Sequence, residues 1–142
     1  LIMKISDHFY LQEFVPESIY KRFGNRALWF IDPRLVSIAE WIRDYFETPI
    51  LVNNWHMGGN RQYSGFRPPE CKVGAALSQH RYGRAMDIVI PKVPAPQVQK
   101  VIHGNFVFLK PLGLTTMEAR TRTWTHLDVR QTGTGHLLLV NP

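Results

Sequence analysis

Two short segments gather the side chains able to do chemistry. The first is Ser78-Gln-His80-Arg-Tyr-Gly83-Arg-Ala-Met-Asp87-Ile-Val-Ile90, and the second is Thr123-Trp124-Thr-His126-Leu-Asp128-Val-Arg130. If Arg84 to Ile90 is a strand, alternation puts Asp87 on the face shared by Ala85 and Val89. A lone carboxylate among apolar neighbours is costly to bury unless it is paired, protonated or bound to a metal. His80 precedes it by seven residues, and Gly83 between them permits the turn that would bring imidazole and carboxylate together. In the second segment, period two places Trp124, His126, Asp128 and Arg130 on one face and Thr123, Thr125, Leu127 and Val129 on the other. His80, Asp87 and His126 then offer two imidazoles and a carboxylate. With a fourth position open to water, that is a catalytic zinc arrangement.

Several elements must hold these groups. The clearest helix runs from Pro33 to Phe46, with Asp32 as N-cap and Pro33 in the first position, where its missing N–H costs nothing. Leu35, Ile38, Ala39, Ile42, Tyr45 and Phe46 make one apolar face, so this is a core helix. Pro16 to Phe23 reads as a shorter helix ended by Gly24, and Pro49 to Val52 as a buried strand. Asn53 to Gln79 is a long aperiodic stretch rich in Gly, Asn, Pro and Arg, of the kind that is usually functional in a compact domain. Ala95 to His103 reads as a short helix closed by Gly104. Leu112 to Glu118, Thr123 to Arg130 and His136 to Val140 read as three further strands. Short helices mixed with closely spaced strands predict an α+β domain with an antiparallel sheet and helices packed on one side.

Length and charge narrow the partners. The chain has 142 residues, 44% of them hydrophobic and 20% charged, which predicts one globular domain over residues 1–142. Its single cysteine, Cys71, excludes a disulfide framework or a multi-cysteine zinc ribbon. No apolar run is long enough for a membrane span, and Leu1-Ile-Met-Lys4 does not read as a signal peptide. Residues 1–60 carry six basic and seven acidic side chains, a net of −1, whereas residues 61–142 carry eleven and four, a net of +7. The second half is therefore a surface for polyanions, including an anionic cell wall. Arg81 and Arg84 bracket Tyr82, but no nucleic-acid module accompanies them, so no specific nucleic-acid partner is expected. His56 is a secondary ligand candidate, and His8, His103 and His136 have no supporting partners in the sequence.

The run His80-x-x-Gly83-x-Ala85-x-Asp87, preceded by Ser78 and followed by a later strand histidine, resembles the zinc D-alanyl-D-alanine carboxypeptidase and endopeptidase family. That family includes bacterial wall enzymes and phage endolysins, and shares its fold with the hedgehog signalling domain. Ser64-Gly-Phe-Arg67-Pro-Pro69 is similar to the family's substrate-side arginine segment, and Trp124 to Arg130 to a subgroup with a histidine–x–aspartate pair. The likeness spans roughly residues 48 to 131. It implies a small hedgehog/DD-peptidase-like fold and one Zn2+ per chain, held by His80, Asp87 and His126. It also implies Arg67 as the partner of a substrate carboxylate and Ser78 as a nearby hydrogen-bonding residue. Trp124 is expected to line the cleft.

Many members of that family place a Glu or Asp three residues before the last zinc histidine, where this chain has Thr123. Threonine cannot take a proton from water at neutral pH. Two carboxylates remain as general base: Asp128, preferred because it shares a strand face with His126, and Glu118 upstream. Asp128 could instead orient a histidine, and Glu118 could be a solvated carboxylate beside Arg120 and Arg122. The resemblance implies a monomeric zinc metallopeptidase that cleaves peptidoglycan stem or cross-link peptides next to D-alanine. Its place of action is the cell wall, as for a phage lysis or virion enzyme. The alternative is a non-catalytic, zinc-containing binding module of the hedgehog type.

Overall fold

A computed structural model describes residues 3–142. Leu1 and Ile2, part of the segment read above for a signal peptide, lie outside the described residues. The elements are α1 (Glu17–Phe23), α2 (Pro33–Phe46), β1 (Ala85–Ile88), α3 (Ala95–Gly104), α4 (Phe106–Leu109), β2 (Thr116–Glu118), β3 (Thr125–Asp128) and β4 (Leu138–Val140). Short 3-10 turns at Leu11–Glu13, Gly24–Phe30, Trp55–Met57, Gln79–Tyr82 and Lys110–Leu112 join them. The class is α+β, as expected, and no helix among the described residues is long and apolar enough to cross a membrane.

The helix α2 has the predicted bounds. Asp32 accepts from the Arg34 N–H at 3.0 Å, and Leu35, Ile38, Ala39 and Ile42 are buried. The stripe narrows at its end, where Tyr45 is half exposed and stacks on Trp41 instead. Leu35, Ile38 and Ile42 join Phe9, Phe14, Met86, Ile88, Ile102 and Leu127 in one core. At about 1.5–3 kcal/mol for each fully buried large side chain, this core is the main stabilising term.

The sheet order is β1-β3-β2-β4. β3 pairs antiparallel with β1 and with β2, but β4 runs parallel to β2, so the sheet is mixed and not antiparallel throughout. The reason is chain direction. Because β3 is antiparallel to β2, its end lies beside the start of β2. The segment 129–137 steps around that end and starts β4 in the same sense. The strands are also shorter than their sequence patterns suggest. Pro49 to Val52 forms only one bridge, Leu51 with Val89, and Lys110–Leu112 is a 3-10 turn closed by Gly113 in the left-handed region.

The long stretch after Asn53 is bound down at many points. Ser64 accepts from the Asp87 N–H at 2.7 Å, Phe66 donates to Phe14 at 2.8 Å and Arg67 donates to His80 at 3.1 Å, all through backbone groups. Arg61 links Val52 and Asp87 carbonyls from the side. Two glycines are required by close approach: a Cβ on Gly65 would strike the Phe14 carbonyl, and one on Gly83 the Phe30 carbonyl.

Near the N-terminus, Glu13 accepts from the Tyr10 N–H at 2.9 Å. Burial, aided by the Glu40 carboxylate and opposed by that hydrogen bond, pushes Glu13 up to about 7 from an ordinary 4.5. A carboxyl raised on folding weakens the fold as pH climbs from 4.5 through 7. Glu13→Gln keeps an acceptor for Tyr10 and is expected to add about 1–2 kcal/mol at pH 8, after discounting for partial exposure, and nothing at pH 4. Urea denaturation at the two pH values measures it. An equal effect at both would remove the ionisation from the explanation.

Candidate metal centre

The site is assembled by strand register. Asp87 on β1 sits directly opposite His126 on β3. One step beyond the Met117–Leu127 pair of β2 and β3, antiparallel geometry brings Glu118 to the other side of His126. Asp87, His126 and Glu118 thus form one row across three strands. His80 reaches the row from the Gln79–Tyr82 turn. Ser78 caps this turn by accepting from the His80 N–H at 3.3 Å, and Gly83 ends it with a left-handed φ of 68°.

Each imidazole is held by one nitrogen and presents the other. His80 Nδ1 lies 2.8 Å from the Gly65 carbonyl, which can only accept, so Nδ1 carries the proton and Nε2 is left to bind. His126 Nε2 lies 2.8 Å from Asp128 Oδ2, leaving Nδ1 on the inner side. Asp87 Oδ1 lies 3.3 Å from His80 Nε2 and 2.9 Å from His126 Nδ1. These three ligand atoms lie within 4.8 Å of one another, and the group could hold a metal ion. The donor set fits: two nitrogens and a carboxylate oxygen suit zinc, and both histidines carry the outer partner that such ligands normally have.

The electrostatics follow from these contacts. Burial pulls the His126 imidazole down, but hydrogen bonds to Asp128 and Asp87 and the charges of Asp87 and Glu118 outweigh it, pushing it up to about 9. Burial raises Asp87, yet His126 and His80 together hold it far below the usual carboxylate range. In the metal-free state the inner oxygen of Asp87 therefore faces the protonated Nδ1 of His126. Arg67 Nη2 donates to the outer oxygen, Oδ2, at 3.2 Å.

The carboxylates divide by position. Asp128 is fully buried behind the His126 ring, where Arg130 forks onto it with Nε at 2.8 Å and Nη2 at 2.6 Å. Glu118 Oε1 lies 3.7 Å from His126 Nδ1, on the ligand side. It lines a cleft of about 510 Å³ together with His80, Asp87, His126, Trp124 and Ser78. Arg67 and Arg130 also line that cleft, but Asp128 does not. Thr123 is exposed. Glu118 beside His126 is legible only from register, because alternation within β2 does not say which residue of β3 it meets.

Two other features are less suited. His8, Glu40 and Asp44 can also gather ligand atoms, but His8 is exposed and Glu40 already accepts from Ser6 and His8. A larger groove of about 880 Å³ between residues 3–6 and α2 is mainly apolar and lacks the histidine pair. His56 belongs to no ligand cluster among the described residues. Comparisons with protein-family models, curated proteins and solved structures give no match.

Proposed function

We propose that the chain is a zinc-dependent peptidase of the D-alanyl-D-alanine carboxypeptidase and endopeptidase type, with the hedgehog/DD-peptidase fold. Its substrates are peptidoglycan stem or cross-link peptides. The observation that carries this reading is a three-ligand group lining a cleft, with a carboxylate outside the ligand set, Glu118, on its ligand side. A structural zinc site closes its fourth position, whereas a hydrolytic one leaves it to water.

His80, Asp87 and His126 would hold a zinc ion, which when bound would supply Lewis acidity to a scissile carbonyl and to an attacking water. Glu118 takes the proton of that water on its carboxylate and returns it to the leaving amine. Asp128 keeps a proton on His126 Nε2, so that Nδ1 stays a lone-pair donor. Ser78 fixes the turn that carries His80, and Trp124 gives the cleft an aromatic wall. One of the two arginines lining the cleft meets a substrate carboxylate. Glu118 supplies what Thr123 lacks, which favours an enzyme over a zinc-containing binding module. The basic second half supports action at an anionic wall, as in a phage lysis or virion enzyme.

The test is incubation of the zinc-loaded chain with purified peptidoglycan, followed by mass spectrometry of the fragments. Released D-alanine or new amines are expected, and should disappear with a chelator and in His80→Ala. Uncut peptidoglycan despite one zinc per chain would overturn the enzyme and favour the binding module.

A further inference from the structure

Arg81, Tyr82 and Arg84 have no place in the metal centre, yet they border a cavity of their own. It holds about 460 Å³, is walled also by Trp29, Phe30 and Phe66, and shares no lining residue with the metal cleft. Phe30 and Phe66 stack on each other at 5.3 Å and pack with the core. The other two rings are held out to water, Trp29 being 74% exposed and Tyr82 53%. Their faces are open to a ligand.

The polar groups here offer donors and few acceptors. Arg84 lies over the Tyr82 ring, 5.1 Å from its centroid. Its buried Nε has no hydrogen-bond partner among the described residues, and a buried N–H without a partner calls for one. Asp32, the one acid lining this cavity, is closed by the Arg34 fork at 3.0 and 2.7 Å. Arg81 donates to the Pro68, Cys71 and Ala75 carbonyls and so braces the turn. A complementary ligand brings oxygen acceptors for Arg84 and a ring face for Trp29 and Tyr82.

A sugar brings both. Hydroxyl, ether and acetamido oxygens surround its ring, and its axial C–H bonds suit the negative face of an aromatic side chain. A single-stranded nucleic acid also has rings and oxygens, but its backbone is tracked by a run of free cations. Of the two arginines lining this cavity, Arg81 is committed to backbone, which leaves Arg84 alone.

Position selects the sugar. Tyr82 follows His80 by two residues on the Gln79–Tyr82 turn. One helical turn with its side chains, about 10–12 Å across, therefore separates this cavity from the metal cleft. Four extended residues span about 13–14 Å, so a peptide held at the metal centre can keep its sugar here. We propose that Trp29, Tyr82 and Arg84 bind an N-acetylated glycan strand, the polymer from which stem peptides hang. The choice of that strand rests on the peptidase reading, whereas the demand for a ring with acceptors rests on the cavity alone.

The test has two arms. In the first, calorimetry compares the β-1,4 tetramer of N-acetylglucosamine with a thymidine tetranucleotide. The saccharide should bind at least about tenfold tighter, and Trp29→Ala and Arg84→Gln should each weaken it about tenfold. An unchanged melting temperature shows that each variant is folded, as expected for a side chain as exposed as Trp29. In the second arm, Trp29→Ala should lower kcat/KM on intact peptidoglycan about tenfold, through lost effective concentration. Its kcat/KM on a soluble stem peptide without sugar should stay the same.

No saccharide binding, binding untouched by both variants, or equal binding of the tetranucleotide overturns the proposal. An equal loss of kcat/KM on both substrates overturns it too, because Trp29 would then act through the fold. Saccharide binding through Trp29 and Arg84 in a protein that leaves peptidoglycan uncut would instead defeat the peptidase reading and leave the sugar site standing. Cleavage of sugar-free peptide without saccharide binding would do the reverse.

Discussion

Glu118→Gln is expected to lower kcat on peptidoglycan peptides by about 10²–10⁴-fold, with zinc still bound at one per chain. The glutamine is nearly isosteric but cannot take a proton, and Glu118 is not among the three ligands. Asp128→Asn should do the reverse. An asparagine behind His126 can offer its NH2 group to Nε2, which favours the wrong tautomer and leaves the Arg130 charge uncompensated. Zinc affinity should fall about 10–100-fold, while kcat at saturating zinc changes far less. Steady-state kinetics paired with a zinc titration separates the two. If Asp128→Asn loses kcat and Glu118→Gln keeps it, the proton-transfer role returns to Asp128.

The second large effect is on metal affinity as a function of pH. Without metal, His126 holds its proton up to about 9, and Nδ1 must release it before it can donate a lone pair. Binding therefore displaces close to one proton at neutral pH, and apparent zinc affinity should rise about tenfold per pH unit before flattening near 9. Competition against a chromophoric chelator between pH 6 and 10 measures this. A flat profile would mean that His126 is already neutral in the metal-free protein. The sign for stability is opposite. A histidine raised from 6.5 to about 9 stabilises the metal-free fold below 6.5, and that contribution is lost as pH rises through 9. Metal-free protein should therefore melt at lower temperature at pH 9.5 than at pH 7. Zinc-loaded protein should not share that loss, because His126 is already neutral there.

The parts legible in the sequence were those set by local periodicity and capping. The bounds of α2 follow from Asp32, Pro33 and an i, i+3, i+4 stripe. The grouping of His80, Asp87 and His126 follows from a glycine turn and two alternating strands. What remained hidden depends on information that no short window contains. The parallel placement of β4 depends on where the preceding chain leaves β3. The preference for Asp128 over Glu118 came from a shared face. A shared face does not say which nitrogen of His126 points inward, and that choice puts Asp128 behind the ring and Glu118 in front. Arg67 fits a substrate fork by residue type, but its hydrogen bond to Asp87 Oδ2 and its packing against Gly74 are visible only in the fold.

The row formed by Asp87, His126 and Glu118 makes chemistry a parity test on folding. Asp87 and His126 are 39 positions apart in the chain and meet only if β1 and β3 pair in the native register. A slip of one residue would turn one partner's face towards the core and set Leu127 or Thr125 opposite Asp87. A metal that prefers the native row would then bind the correctly paired chain selectively and drain slipped chains toward it by mass action. In that sense a bound ion would proofread the sheet.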